Sequence, residues 1–143
     1  MTVKSILDEK GHDVVTLGPD ETISRAMKVL SDKKIGALVV TDTEGTICGI
    51  LSERDIVGLV ASEGAAALDH PIREAMTASV KLCHEDHTVN QVMEIMTRGR
   101  FRHLPVEKDG KLDGIISIGD VVKRRIEDVE REAEEIRNYI ATG

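Results

Sequence analysis

The 143-residue chain has the size of one compact domain, with 41% hydrophobic and 31% charged residues. Its net charge of −7 argues against non-specific DNA binding, which needs a basic face. One Phe, one Tyr and no Trp leave no aromatic platforms on which single-stranded nucleic acid could stack. The two cysteines suit reduced thiols, and no stretch has the pattern of a signal peptide or a membrane span. We therefore expect a cytoplasmic protein that binds neither nucleic acid polymers nor membranes.

The first half of the chain predicts a lead-in helix, an extended segment, a helix, a hairpin of two strands and a second helix. Residues 3–7 form the lead-in, and residues 14–17 the extended segment. Ile23, Ala26 and Leu30 have helical spacing after a capping residue, either Asp20 or Thr22. Strands at 37–40 and 47–51 flank a turn at 42–45 that ends in glycine, and the second helix begins near Ser52.

The second half repeats the first. Residues 88–122 align with residues 22–57 after the loss of one residue, and Asp120 then matches Asp55. The same order of elements follows: lead-in 72–76, extended segment 80–83, a helix capped by Asp86 or Thr88, and strands 103–106 and 112–116. This repeat predicts an α+β fold of two β-α-β-β-α units, related by a pseudo-two-fold axis and sharing one core. The expected divisions are 1–70, which includes a linker at 62–70, then 71–125 and a helical extension at 126–143.

The last helix is predicted to continue to about residue 141. Its apolar residues alternate steps of four and three, which forms a heptad seam with a charged outer face. They are Val122, Ile126, Val129, Ala133, Ile136 and Ile140. The seam either packs on the parent domain or contacts a second subunit, and we favour the subunit contact because a repeat helix needs only about half this length.

The repeated signature resembles the CBS domain, named for cystathionine β-synthase. Each copy begins with a short apolar strand, Leu38-Val39-Val40 or Leu104-Pro105-Val106, which is followed by a turn. The segment Gly-Ile-(Leu/Ile)-Ser comes next, and its serine begins the motif Ser-x-x-Asp. The likeness covers residues 3–125 and implies a tandem pair, often called a Bateman module, with two clefts between its repeats. Such modules are regulatory and non-catalytic. They bind AMP, ADP, ATP, NAD(H) or, less favoured here, S-adenosylmethionine, and many form disc-like homodimers.

The resemblance also implies the residues of each cleft, because the family combines the extended segment of one repeat with the Ser-x-x-Asp of the other. The first cleft would use Thr16, Leu17, Ile35, Ala37, Leu38, Ser117, Gly119 and Asp120. The second would use Leu82, Cys83, Phe101, Arg102, His103, Pro105, Ser52, Arg54 and Asp55. Apolar residues would hold adenine, and the aspartates would accept hydrogen bonds from ribose.

The two clefts differ in charge. Arg98, Arg100, Arg102 and His103 surround the strand of the second repeat, where the first repeat has Gly36 and Ala37. Arg98 can complement a helix C-terminus, but Arg102 and His103 suit a phosphate clamp that Arg54 could join. We therefore expect the second cleft to take the more highly phosphorylated ligand. Leu82 stands where the first repeat has Thr16, which removes one polar group from the second cleft.

Each Ser-x-x-Asp has two compatible interpretations. Ser followed three residues later by an acid is close to a capping box, and the helix N-terminus that it caps also attracts phosphate. Cys83, His84, Asp86 and His87 form only a partial set of zinc ligands, so we expect solvated turn residues and no metal. Ser117, His103 and Asp120 lack the nucleophile elbow of a hydrolase, so we expect no enzyme and no catalytic residue.

The sequence thus predicts a homodimeric module that senses an adenine nucleotide and signals to a regulated protein by conformational change. The alternative is a dimeric scaffold with vestigial clefts that acts through its C-terminal helix.

Overall fold

The computed structural model describes residues 1–142. Two copies of the expected unit follow each other, and each hairpin leads into a helix. In chain order the elements are α1 Val3–Lys10, β1 Thr16–Leu17, α2 Ile23–Lys33, β2 Ala37–Thr41, β3 Ile47–Ser52, α3 Glu53–Glu63, α4 Val89–Gly99, β4 His103–Lys108, β5 Lys111–Ser117 and α5 Ile118–Thr142. No helix of these residues is long and apolar enough to cross a membrane.

The caps of the first helix in each repeat are threonines. The Thr22 side chain accepts a hydrogen bond from the Arg25 amide at 3.2 Å, and Thr88 does the same for Gln91 at 3.0 Å. Both helices end on a residue in the left-handed conformation, which turns the chain towards the following strand. These residues are Lys34, with φ 55°, and Arg100, with φ 57°.

The strands form two small sheets. In the first, β1 is parallel to β2, and β2 is antiparallel to β3. In the second, β4 is antiparallel to β5, and the segment before α4 joins β4 through one parallel bridge from Cys83 to Val106. Gly45 and Gly110 have φ of 82° and 77° in the two hairpin turns, as the turn chemistry predicts.

The prediction of one shared core was wrong. Each repeat has its own cluster of buried aliphatic residues, one around Leu38, Val40 and Leu51 and the other around Leu104, Val106 and Ile116. There are two clusters because each repeat has its own sheet, three-stranded in the first repeat and two-stranded in the second, and each sheet is covered by its own helix. The coupling between the repeats comes from the lead-in segments.

The lead-in segments are exchanged between the repeats. Val3, Ile6 and Leu7 of α1 are buried in the core of the second repeat. Reciprocally, Ile72 is buried in the core of the first repeat, with Met76 packed against it. Paired backbone bridges anchor the exchange, from Thr2 to Thr88 and from Thr22 to Pro71. Each core is therefore completed by the chain that precedes the other repeat.

The second lead-in is not a helix like the first. It forms one 3-10 turn, Ile72–Glu74, because Thr77 exchanges backbone hydrogen bonds with Ile50 of β3 and draws the chain into an extended path. The linker at 62–70 is more ordered than a flexible connection: α3 ends at Glu63, Gly64 turns with φ of 77°, and Ala65–Asp69 form a 3-10 turn.

Candidate functional site

A cavity of about 310 Å³ lies between the two repeats. The start of α3 forms one wall, and the segment joining α4 to β4 forms the opposite wall. This volume is at the lower end of the range for small-molecule sites. The lining residues are Gly36, Ala37, Ile50, Ser52, Glu53, Arg54, Asp55, Thr77, Arg100, Phe101, Arg102 and His103.

The start of α3 presents a fixed carboxylate. The Ser52 amide donates to Asp55 Oδ2 at 2.9 Å, and the Asp55 amide donates to Ser52 Oγ at 3.3 Å. This capping box was predicted, and it fixes the rotamer of Asp55 without a cation. The Glu53 amide donates to the Gly36 carbonyl at 3.0 Å. The dipole of α3 also adds positive potential at the cavity wall, because the N-terminus of this helix forms part of that wall.

Three arginines converge on the same cavity: Arg54, Arg100 and Arg102. Within residues 1–142, the arginines that form ion pairs are Arg25, Arg73, Arg98 and Arg124. The three cavity guanidinium groups are therefore free of carboxylate partners in a chain of net charge −7. Unpaired guanidinium groups beside a helix N-terminus favour a phosphate-bearing ligand.

Arg100 reaches the cavity from a strained position. It ends α4 in the left-handed conformation, where a residue with a Cβ costs roughly 1 kcal/mol more than glycine. Lys34 holds the equivalent position at the end of α2 but does not line this cavity.

His103 lines the cavity, and its pKa is lowered. Burial lowers its pKa from 6.5, Asp120 opposes that shift, and the charges of Lys10 and Arg102 reinforce it. An imidazole without charge can pack against an aromatic base or exchange a hydrogen bond with it. The positive charge at this cavity at neutral pH is therefore carried by the arginines.

The two aspartates of the repeat differ in their partners. Lys10 of α1 donates to Asp120 Oδ2 at 2.7 Å and to the Ile115 carbonyl at 2.9 Å. Burial raises the pKa of Asp120, but the hydrogen bonds from Lys10 and Ser117 outweigh it, and the pKa is lowered overall. Asp120 lies in a separate recess of about 190 Å³ against α1. Its carboxylate is already engaged, whereas that of Asp55 faces the cavity.

Six of the nine residues predicted for the second cleft meet at this cavity: Ser52, Arg54, Asp55, Phe101, Arg102 and His103. The other three, Leu82, Cys83 and Pro105, do not line it. Cys83 is fully buried in the core of the second repeat, and burial raises the pKa of its thiol to about 12. In this arrangement its side chain packs the core and offers no surface to a ligand.

The residues predicted for the first cleft are dispersed. Leu17 and Leu38 belong to the core of the first repeat, and Ala37 lines the cavity that contains Asp55. Ser117 caps α5 by accepting from the Asp120 amide at 3.1 Å. Thr16 and Gly119 are exposed, and Ile35 is half-buried.

Five lining residues were absent from the predicted set: Gly36, Ile50, Glu53, Thr77 and Arg100. The cluster of basic residues around position 100 in the sequence could have indicated Arg100 as a lining residue. Thr77 carried none, because only its pairing with Ile50 brings it to the cavity. His84 and His87 stack at 5.5 Å, and residues 1–142 contain no cluster of three His, Cys, Asp or Glu side chains suited to a metal.

The chain matches a family model described as CBS domain over residues 3–62 and 72–127. A curated 17.7 kDa protein of Acidianus ambivalens is 39% identical over 111 residues, which span 77% of this chain and 66% of that protein. A solved CBS-domain containing protein of Agrobacterium tumefaciens is 56% identical with a TM-score of 0.84, covering 87% of this chain and 99% of its own.

Two similar structures contain adenosine compounds. One CBS domain pair was solved in complex with 5′-methylthioadenosine and S-adenosyl-L-methionine. It is 27% identical, with a TM-score of 0.80 over 90% of this chain and 98% of its own. Another, CBSX2, was solved in complex with AMP; it is 26% identical, with a TM-score of 0.71 over 80% of this chain and 89% of its own.

Proposed function

The chain belongs to the CBS-domain family, and we propose that it is a cytoplasmic regulatory module that binds an adenosine-containing ligand in the cavity between its repeats. AMP, ADP, ATP and NAD(H) are the favoured ligands, and S-adenosylmethionine is less favoured because its sulfonium carries no phosphate. The observation that carries the proposal is the meeting of three unpaired arginines with the carboxylate of Asp55, which Ser52 holds in place and which has no cation partner. The AMP held by a 26% identical relative supports the ligand class.

Each part of the cavity suits one part of such a ligand. Ala37, Ile50 and Phe101 provide apolar surface for the purine. The carboxylate of Asp55 accepts hydrogen bonds from the two ribose hydroxyls, since its rotamer is already fixed by Ser52. The guanidinium groups then bind the phosphates by bidentate contacts.

We propose that the Asp55 cavity is the principal site and takes the more highly phosphorylated ligand. A ligand at the first cleft would have to displace the ammonium of Lys10 from Asp120 before its ribose could bind. The two sites are therefore unequal, although the sequence repeats the same motif.

Binding would act by shifting the angle between the repeats. A ligand that contacts α3 of the first repeat and residues 100–103 of the second favours the arrangement in which both walls fit it, by its differential affinity for that arrangement. The output is a contact with a regulated protein and involves no chemical step. Ser52 and Asp55 are engaged in helix capping, which leaves this cavity without an activated nucleophile.

Isothermal titration calorimetry with AMP, ADP, ATP, NAD⁺, NADH and S-adenosylmethionine tests the proposal. We expect saturable binding of a phosphorylated adenosine ligand, with adenosine itself weaker because it cannot engage the arginines. GTP serves as a control for the base. Absence of heat for every compound at millimolar concentration, with a folded protein by circular dichroism, would contradict the proposal.

Changing Arg100 to Gly should separate stability from binding. Glycine relieves the left-handed strain, so the free energy of unfolding should rise by roughly 0.5–1 kcal/mol. Affinity for the phosphorylated ligand should fall about tenfold, because one charge-assisted contact is lost. The matched control is Lys34→Gly, which relieves the same strain outside the cavity and should leave affinity unchanged. Equal affinities in the two variants would remove Arg100 from the proposed site.

A second candidate function is a scaffold that acts through α5. The observation in its favour is the apolar stripe that α5 exposes, from Val122 to Ile140. It predicts no response to any nucleotide and loss of partner contacts when the stripe is changed. The calorimetric series above separates the two functions.

A further inference from the structure

A cavity of about 430 Å³ lies between the start of α4 and the middle of α5. We call it the α4–α5 cavity, and none of its lining residues lines the cavity that contains Asp55. Thr88, Val89 and Asn90 of α4 form one wall, and charged residues of α5 form the other. The volume is within the range of small-molecule sites, and the adenosine ligand proposed above makes no use of it.

Asp128 of α5 is a buried carboxylate that lines this cavity. It is 7% exposed, and among residues 1–142 no other charged residue is buried. Its Oδ1 atom accepts no hydrogen bond, and Arg124 Nε lies 3.7 Å away, too far to donate one. The Arg124 guanidinium is turned to Glu9 instead, at 3.3 Å from Nη1. Since buried polar atoms have hydrogen-bond partners as a rule, Asp128 indicates a ligand with an N–H or O–H donor.

Two more carboxylates lie beside Asp128 on the same face of α5. At 100° per residue, Glu132 and Glu135 lie within about 40° of Asp128 around the helix, and both line the cavity. Like charges one turn apart destabilise a helix. Among residues 1–142, the ion pairs of α5 involve Asp120, Arg124 and Asp128 but neither glutamate. The centre of this wall therefore favours a ligand with positive charge.

The borders of the α4–α5 cavity favour a negative group. Arg125 and Arg131 line it about 60° to either side of Asp128 around α5. Neither of them forms an ion pair within residues 1–142. The Asn90 amide belongs to the first turn of α4, where the helix supplies no acceptor and its dipole adds positive potential. A ligand with a carboxylate next to an ammonium group would satisfy both kinds of charge.

We propose that the α4–α5 cavity binds a free basic α-amino acid, of the type of lysine or arginine. Asp128 accepts hydrogen bonds from the α-ammonium group, and the arginines and the first turn of α4 bind the α-carboxylate. Glu132 and Glu135 bind the cation of the side chain. Three carboxylates and two guanidinium groups give the wall of α5 a net charge of −1. A basic amino acid balances that charge, whereas a neutral amino acid or a diamine does not.

Isothermal titration calorimetry of the full chain with matched compounds tests the ligand class. We expect saturable binding of L-lysine or L-arginine at millimolar concentration or below. Norleucine lacks the side-chain ammonium of lysine, Nα-acetyllysine lacks the α-ammonium, and cadaverine lacks the α-carboxylate. Each should bind at least about tenfold more weakly than lysine, because one charged contact is lost. Any of the three binding as tightly as lysine would overturn the proposal. So would the absence of heat with all of them, which would leave solvent as the partner of Asp128.

Substitutions on α5 locate the site. Asp128→Asn keeps the size of the side chain, and Arg124 keeps Glu9, so the fold should persist while lysine affinity falls at least about tenfold. Arg131→Gln changes an exposed residue; it should weaken lysine but not cadaverine, which has no carboxylate.

Glu130→Gln is the matched control for these variants. It removes a carboxylate from the same helix at an exposed position outside the cavity, and lysine affinity should not change. Equal lysine affinities in Asp128→Asn and Glu130→Gln would overturn the assignment, as would an Arg131→Gln variant that binds lysine like the unchanged chain. Because the two cavities share no residue, these results do not depend on whether an adenosine ligand binds.

Discussion

Asp55→Asn should weaken binding of the adenosine ligand by about 10- to 100-fold, the largest effect expected of any single change in the cavity. A carboxylate that accepts two ribose hydroxyls contributes roughly 1.5–3 kcal/mol more than a group that cannot, and about 1.4 kcal/mol is a factor of ten. Asparagine keeps an oxygen that can accept from the Ser52 amide, so the cap of α3 is largely retained. Calorimetry with the tightest ligand measures the loss.

Asp120→Asn is the matched control. It changes the equivalent residue of the other repeat, whose carboxylate is bound by Lys10 at 2.7 Å and lies outside the cavity. Affinity should change by less than about threefold, and the loss of a partly exposed ion pair should cost at most about 1 kcal/mol of stability. If the two variants lose affinity equally, the principal site is not at Asp55.

Gly49→Ala should lower the free energy of unfolding by about 1–3 kcal/mol. A Cβ at Gly49 would lie 2.7 Å from the Thr77 carbonyl oxygen and 2.9 Å from Met76 Sδ. The carbonyl cannot move freely, because it accepts a hydrogen bond from the Ile50 amide at 3.0 Å. Thermal unfolding should show a fall in Tm of roughly 2–4 °C for each kcal/mol lost.

Gly114→Ala makes the same change in the other repeat and should cost less. The nearest atom to its Cβ would be Leu7 Cδ2, also at 2.7 Å, but this is the tip of a side chain that can rotate. A smaller loss of stability for Gly114→Ala than for Gly49→Ala is expected in parallel melts. The reverse order would show that the exchanged lead-in of the first repeat is held more tightly than that of the second.

Local chemistry in the sequence predicted much of the fold. The turn glycines Gly45 and Gly110, the hairpins and the capping boxes at Ser52 and Ser117 all depend on residues within a few positions of one another. The choice between Asp20 and Thr22 as cap was settled only by backbone geometry, since both types cap well. Periodicity gave the length of α5 to within one residue of its last described position.

Long-range placement was harder to predict. No local pattern tells which core receives Leu7, so the exchange of lead-ins and the division into two cores were missed. The equivalence of Asp55 and Asp120 in sequence hid their difference in space, because Lys10 reaches Asp120 from 110 residues away. Thr77 likewise enters the cavity through a single bridge. The sequence aligns the two Ser-x-x-Asp motifs, but it does not show which residues lie beside each motif in the folded chain.

The reciprocal lead-ins have a consequence for how such a chain could arise. A half-length polypeptide would carry a lead-in segment that fits the core of another copy, and its own core would lack the segment that completes it. Two such polypeptides could close each other, as swapped protomers do. Fusion of their genes would then preserve the closed pair and leave each copy free to diverge, and the two aspartates do differ, since Lys10 pairs with Asp120 whereas Asp55 is held by Ser52 alone.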